Sequence, residues 1–265
     1  MSDATKYVNK LKDKHVLIVG GSSGIGFAVA EAAIEHGARV TISSSQQSRV
    51  DTAASRLHKS YPSAKDRVSG YAYSMNDKSH LESNIVALLD DCTGSSKTKL
   101  DHIIWTAGDA LAAMPLAEMT IEKAQQAGMV RFFGPMMLAK HAPKYLNPGP
   151  ASSIVLTTGL AGHKPIPDWV AISAYCLGLE GLTRALALDL KPLRVNVVCP
   201  GAVITELWDG LSAEERQDIF KHSSERALTG QVGRVEDVAE CYLYAMKDQN
   251  ATGEVITTSS GARLR

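Results

Sequence analysis

The sequence predicts an α/β fold, a doubly wound parallel sheet with helices on both faces, and three observations carry that prediction. Short apolar runs alternate along the chain with longer amphipathic segments, and strands that are apolar throughout belong in a parallel sheet buried on both sides. The first run, His15-Val16-Leu17-Ile18-Val19, stops in the cluster Gly20-Gly21-Ser22-Ser23-Gly24-Ile25-Gly26 and restarts as Phe27-Ala28-Val29-Ala30, a strand, a tight turn and a helix. The 265 residues show no Pro/Gly/Ser-rich linker and no break in composition. One domain over 1–265 is therefore expected.

The glycine cluster is the chemical landmark. Gly20, Gly24 and Gly26 lack Cβ atoms, so the backbone can turn sharply and approach a diphosphate. The free N–H groups of Ser22, Ser23, Gly24 and Ile25 at the helix start then face the anion. Residues 37–42 supply the second strand of a βαβ unit. A polar helix over 48–60 closes at Tyr61-Pro62, and a strand spans 67–74. The helix over 77–92 sets Leu81, Ile85, Leu88 and Leu89 on one face. A fourth strand, 100–105, runs into Thr106-Ala107-Gly108. One long helix over 118–145, a fifth strand over 152–158 and a helix over 169–190 follow, the last with Leu177, Leu179, Leu182, Leu186 and Leu190 on a wide apolar face. The sixth strand, 194–199, ends at Pro200-Gly201. An amphipathic polar stretch, a helix over 235–246 and a strand over 253–257 complete the chain. Ligands of such sheets bind beyond the carboxyl ends of the strands, which points to 20–26, 43–46, 74–77, 106–108, 157–162 and 200–205.

Composition narrows the partner. Lys and Arg total 28 and so do Asp and Glu, giving zero formal net charge, and no basic run is interleaved with aromatics. Nucleic acid and membrane surfaces are excluded on that ground, and a small-molecule substrate is expected. Cys92, Cys176, Cys199 and Cys241 are scattered, without the paired spacing of a zinc site or disulfide framework, so no metal is expected. Met1-Ser2-Asp3-Ala4-Thr5-Lys6 leads into no signal-peptide core, and no apolar run reads as long enough to span a bilayer. A cytoplasmic location is the expectation.

Several motifs resemble the short-chain dehydrogenase/reductase family over essentially the whole length: Gly20-x-x-x-Gly24-Ile25-Gly26, Thr106-Ala107-Gly108, Glu180-Gly181-Leu182-Thr183-Arg184-Ala185-Leu186-Ala187, Arg194-Val195-Asn196 and Pro200-Gly201-Ala202-Val203 with Thr205. The resemblance implies a Rossmann-type domain with strand order 3-2-1-4-5-6-7 and a nicotinamide cofactor lying along Ala107, Gly108, Pro200, Gly201, Val203 and Thr205. It also implies a homodimer or homotetramer joined through the helices over 118–145 and 169–190. The family's working residues, an Asn, a Ser and a Tyr-x-x-x-Lys, are all replaced. Registering on Gly24, Ala161-Gly162 and Glu180-Gly181-Leu182 places Arg131, Gly159, Ile172 and Cys176 at those positions, and Tyr175 has Leu179 rather than lysine four residues on. General acid catalysis contributes about 10²–10⁴ in rate, so a reductase without the tyrosine finds its proton elsewhere or needs none.

A narrower resemblance is to fungal members that lost the same residues, including the reductase/Diels–Alderases of paraherquamide and malbrancheamide biosynthesis. It rests on Gly128-Met129-Val130-Arg131-Phe132-Phe133, Lys164-Pro165-Ile166-Pro167 and Met246-Lys247-Asp248-Gln249-Asn250. Those enzymes use NADPH to reduce an iminium and then hold the product for cycloaddition. They look dependent on an Arg matching Arg131 and on an Asp three residues before a Trp matching Trp169. Here that place holds Ile166, and the acid is Asp168, beside the Trp.

Each candidate has two readings. No Asp or Glu stands between Val40 and Val50 to accept from a ribose hydroxyl; Ser44, Ser45 and Arg49 suit a 2′-phosphate and thus NADP(H), or are a polar loop. Arg131, in an apolar stretch, either holds a carbonyl or oxyanion in the pocket or pairs with an acid. Asp168 is either the N-cap or first-turn acid of the next helix or faces the pocket and steadies a cationic substrate. Thr158 either bonds substrate or bonds backbone. Trp105 and Trp169 read as packing residues or as part of the substrate wall, and Trp208 as part of a lid over about 204–228. Ile172 and Cys176, four apart, make the former catalytic wall apolar. The expectation is an NADP(H)-dependent reductase of specialised metabolism acting on an iminium or carbonyl of a bulky apolar substrate. A cofactor-bound cyclase and a catalytically silent member are the alternatives.

Overall fold

The computed structural model describes residues 5–109, 111 and 113–265. Seven parallel strands lie in the order β3-β2-β1-β4-β5-β6-β7: β1 (His15–Val19), β2 (Arg39–Ser44), β3 (Val68–Ala72), β4 (His102–Trp105), β5 (Ser153–Thr157), β6 (Arg194–Pro200) and β7 (Val255–Thr258). The order reverses between β1 and β4, which opens the crevice there. Alternate side chains of β1 feed opposite layers. Val16 and Ile18 join α1 (Gly24–Glu35), α2 (Gln47–Ser60) and α8 (Val235–Lys247). Leu17 and Val19 join α3 (Leu81–Thr93), α5 (Gly134–Tyr145) and α6 (Val170–Asp189).

Two helices differ from expectation. The helix expected from 77 begins at Leu81, because Asp77 forms a turn and accepts the Ser79 N–H at 2.9 Å. The long helix over 118–145 is instead α4 (Ile121–Gly128), a π-helical turn (Met129–Phe133) and α5. Its ladder opens because Val130 bonds elsewhere: its N–H donates to Asp109 Oδ2 at 3.0 Å, and its carbonyl accepts Trp105 Nε1–H at 3.1 Å. Trp105 is thus a packing residue, 1% exposed.

α6 corrects two expectations. At 20 residues it is long and apolar enough to cross a bilayer, yet one face of it packs on β6, with Leu179 buried in that layer. Leu177 does not share that face; it is exposed, as are Val170 and Leu188. The polar stretch after Thr205 folds as a 3₁₀ turn (Glu206–Trp208) and α7 (Ala213–Arg226), whose start is fixed by a reciprocal Ser212–Glu215 capping box.

Candidate active site

The carboxyl ends of β1, β4, β5 and β6 open into a cleft of about 1670 Å³, larger than a usual single-ligand pocket of roughly 300–1,000 Å³. Every residue that the sequence assigned to a cofactor lines it, from Gly20, Ser22 and Ser23 to Val203 and Thr205.

The β1–β2 end is made of close-packed main chain. Gly20 has φ +92°, and a Cβ there would lie 2.5 Å from the Ala107 nitrogen; a Cβ on Gly26 would lie 2.2 Å from the Gly20 oxygen. Only bare glycines allow this approach, and it brings the start of α1 against the ends of β1 and β4. The α1 start carries no acid in its first turn, and its N-cap, Ser23, makes no side-chain cap; the Gly24 N–H donates to Glu206 Oε2, and the other first-turn N–H groups suit an anion from elsewhere. Ser22 Oγ donates to Ser44 Oγ at 3.0 Å, tying the turn to the end of β2. Ser45, Ser48 and Arg49 continue that wall, a cationic and hydroxyl-rich surface suited to a phosphate. The cradle that extra Cβ atoms would fill, with donors facing it, fits a dinucleotide.

The β4–β5 end is made of side chains. Arg131 sits on the π turn, its Nη2 donating to the Asp109 carbonyl and its Nε 4.0 Å from Asp109 Oδ2. Burial holds the Asp109 carboxyl above the usual carboxylate range, opposed by the Val130 N–H and the Arg131 charge. Both readings of Arg131 therefore meet in one place, an acid-paired guanidinium that lines the cleft. Thr158 Oγ1 donates to the Cys176 carbonyl at 2.6 Å, the backbone reading, although the residue also borders the cleft. A Cβ on Gly159 would lie 3.7 Å from Cys176 Sγ, so the two positions registered as Ser and Lys are neighbours, and Ile172 beside them is 2% exposed. Burial pushes the Cys176 thiol up, against any nucleophilic role. Tyr175 faces away, donating to the Ala124 carbonyl at 2.9 Å and stacking on Phe132.

Asp168 takes neither place expected for it. The N-cap of α6 is Trp169, without a side-chain cap. Asp168 is exposed at φ +64°, its carbonyl accepting the Met114 N–H at 2.9 Å, and it is not among the cleft residues, whereas Ile166 and Trp169 are. Trp208 does line the cleft, held by an Nε1–H bond to the Val203 carbonyl at 2.9 Å and an edge contact with Phe220.

Sequence reasoning missed Asp109, Lys164 and Glu206, all cleft residues. Their signals were position alone: Asp109 follows Thr106-Ala107-Gly108, and Glu206 follows Thr205. Outside the cleft lining, His163, Glu180 and Cys199 cluster within 4.8 Å. His163 already bonds Glu180 at 2.5 Å, and Arg184 reaches the same carboxylate, so a cation there would have to displace partners already in place.

Sheet order, glycine turn and crevice together define a Rossmann-type domain. Residues 7–265 match the family model described as an SDR-like Rossmann domain, and the chain belongs to the short-chain dehydrogenase/reductase family. It is 44% identical over 260 residues to the short-chain dehydrogenase/reductase malC of Malbranchea aurantiaca, covering 96% of each chain. It is 42% identical over 266 residues to the short-chain dehydrogenase/reductase fsr5 of Gibberella fujikuroi, covering 100% of each. The solved structure of the MalC reductase/Diels–Alderase matches with TM-score 0.92 at 42% identity, over 98% of this chain and 100% of that one. A small-chain dehydrogenase solved in complex with NADPH matches with TM-score 0.74 at 25% identity, over 96% and 100%.

Proposed function

We propose that the protein is an NADP(H)-dependent reductase of fungal specialised metabolism that reduces an already activated carbon, an iminium or a polarised carbonyl, on a bulky apolar substrate. The observation that carries this reading is the pairing, in one cleft, of a complete dinucleotide cradle with a reaction end whose tyrosine and lysine positions are Ile172 and Cys176. NADPH, when bound, supplies a hydride. Gly20 to Gly26 would hold its diphosphate, and Ser44, Ser45 and Arg49 its 2′-phosphate. An electrophile that is already cationic needs positioning rather than a tyrosine proton. Asp109 balances that cation, or holds the proton at its carboxyl when the electrophile is a carbonyl, and Arg131 orients the oxygen. Val130, Ile166, Trp169, Ile172, Leu207 and Trp208 supply an apolar wall.

A second reading is favoured by that same wall and by the similarity to the MalC reductase/Diels–Alderase: the cleft holds a reduced product for cyclisation. The exposed Val170, Leu177 and Leu188 on α6 and Ile121 on α4 support assembly as a homo-oligomer.

Fluorescence titration with NADPH and NADH tests the cofactor reading. NADPH binds more tightly by about tenfold or more, and Arg49→Gln removes most of that preference, as expected for one lost charge-assisted phosphate contact. Comparable affinities overturn the NADP(H) choice, and binding of neither overturns the redox reading. Transfer of deuteride from labelled NADPH to a product separates reductase from cyclase.

A further inference from the structure

Glu206 and Gly24 are 182 positions apart, yet Glu206 Oε2 accepts the Gly24 N–H at 2.8 Å. Gly24 is the first residue of α1, so this N–H has no partner inside the helix. It belongs to the donor set that, on the reading just given, receives the cofactor diphosphate. The contact is built. Thr205 packs on Gly24, where a Cβ would lie 3.2 Å from Thr205 Cγ2. The Thr205 hydroxyl accepts the Leu207 N–H at 3.4 Å, and Trp208 Nε1–H bonds Val203 on the same short turn. Among the described residues Glu206 is in no salt bridge. Its carboxylate supplies the negative charge that the start of α1 otherwise lacks.

We propose that Glu206 is a resident competitor of the cofactor diphosphate, which must displace it from Gly24 to bind. This rests on the dinucleotide reading above. A carboxylate and a diphosphate repel each other and want the same helix-start donors, so both cannot hold them at full strength. Displacing the carboxylate removes the bond that ties the turn Glu206–Trp208 to the start of α1, while the Leu207–Thr205 and Trp208–Val203 bonds keep the turn itself in place.

The test is a fluorescence titration of wild type, Glu206→Gln and Glu206→Ala with NADPH at low ionic strength, with adenosine 2′-monophosphate, which lacks a diphosphate, as the control probe. Both variants bind NADPH about 2–5-fold more tightly than wild type, the span expected for removing one exposed charge from a helix start, and bind the control probe as wild type does. Unchanged NADPH affinity overturns the proposal. Weaker binding also overturns it, by showing that Glu206 clamps the cofactor rather than excluding it. An equal gain for both probes overturns it too, since the effect would then be general charge and not the diphosphate site. A wild type that binds neither NADPH nor NADH strikes the cofactor reading itself, whereas a wild type that binds NADPH and variants that match it strike only the role of Glu206.

Discussion

At the β1–β2 end of the cleft the surface is largely main chain, and its shape depends on atoms that are missing, the Cβ atoms of Gly20 and Gly26. At the β4–β5 end the surface is side chains: Arg131, Asp109, Thr158, Ile172 and Cys176. The difference explains how one end can keep its family character while the other changes its chemistry. A backbone-made site is fixed by the fold, and altering it alters the fold. A site made of side chains on strand ends and one helix face can be rewritten position by position with the sheet left intact.

The largest break in that comparison is at Gly26. Gly26→Ala puts a methyl 2.2 Å from the Gly20 oxygen and 2.4 Å from Thr106 Oγ1, so NADPH binding is lost and stability falls by about 2 kcal/mol or more, read by titration and by urea unfolding. Arg131→Met acts on the other end. It leaves the part-buried Asp109 without its counter-charge and costs roughly 1–3 kcal/mol, while NADPH affinity stays at the wild-type value; adding Asp109→Asn recovers most of the loss, since the two residues share one interaction. An NADPH affinity that fell with Arg131→Met would show that the two ends are not separable. The smallest effect belongs to Asp168→Asn. The residue is exposed, uncapping and left-handed, a conformation that Asn accepts, so unfolding free energy stays within about 0.5 kcal/mol and NADPH affinity is unchanged. A shifted melting temperature would restore the capping role.

The sequence made the first end legible and the second only in part, for a physical reason. Glycine spacing, a strand before and a helix after are local, so 15–35 could be read as one unit. Ser44, Ser45 and Arg49 were visible as the missing acid at the end of β2. Arg131 stood out as a charge in an apolar stretch, but its partner Asp109 is brought to it by a loop, and no local pattern marks such a pairing. The π turn was hidden because Met129, Val130, Phe132 and Phe133 continue the apolar pattern of a long helix. Asp168 misled because acid-before-helix is a good rule for caps, and its left-handed backbone, which moves the start of α6 past it, leaves no trace in composition.

The open ladder at Val130 has a mechanical consequence. By giving its N–H to Asp109 and its carbonyl to Trp105, Val130 bolts the α4–α5 rod to the tip of the sheet, so load placed on Arg131 is carried into β4 rather than absorbed by bending. The opposite side of the cleft is built differently: a 3₁₀ turn and α7, which has no buried residue, line it through Leu207, Trp208 and Ile219.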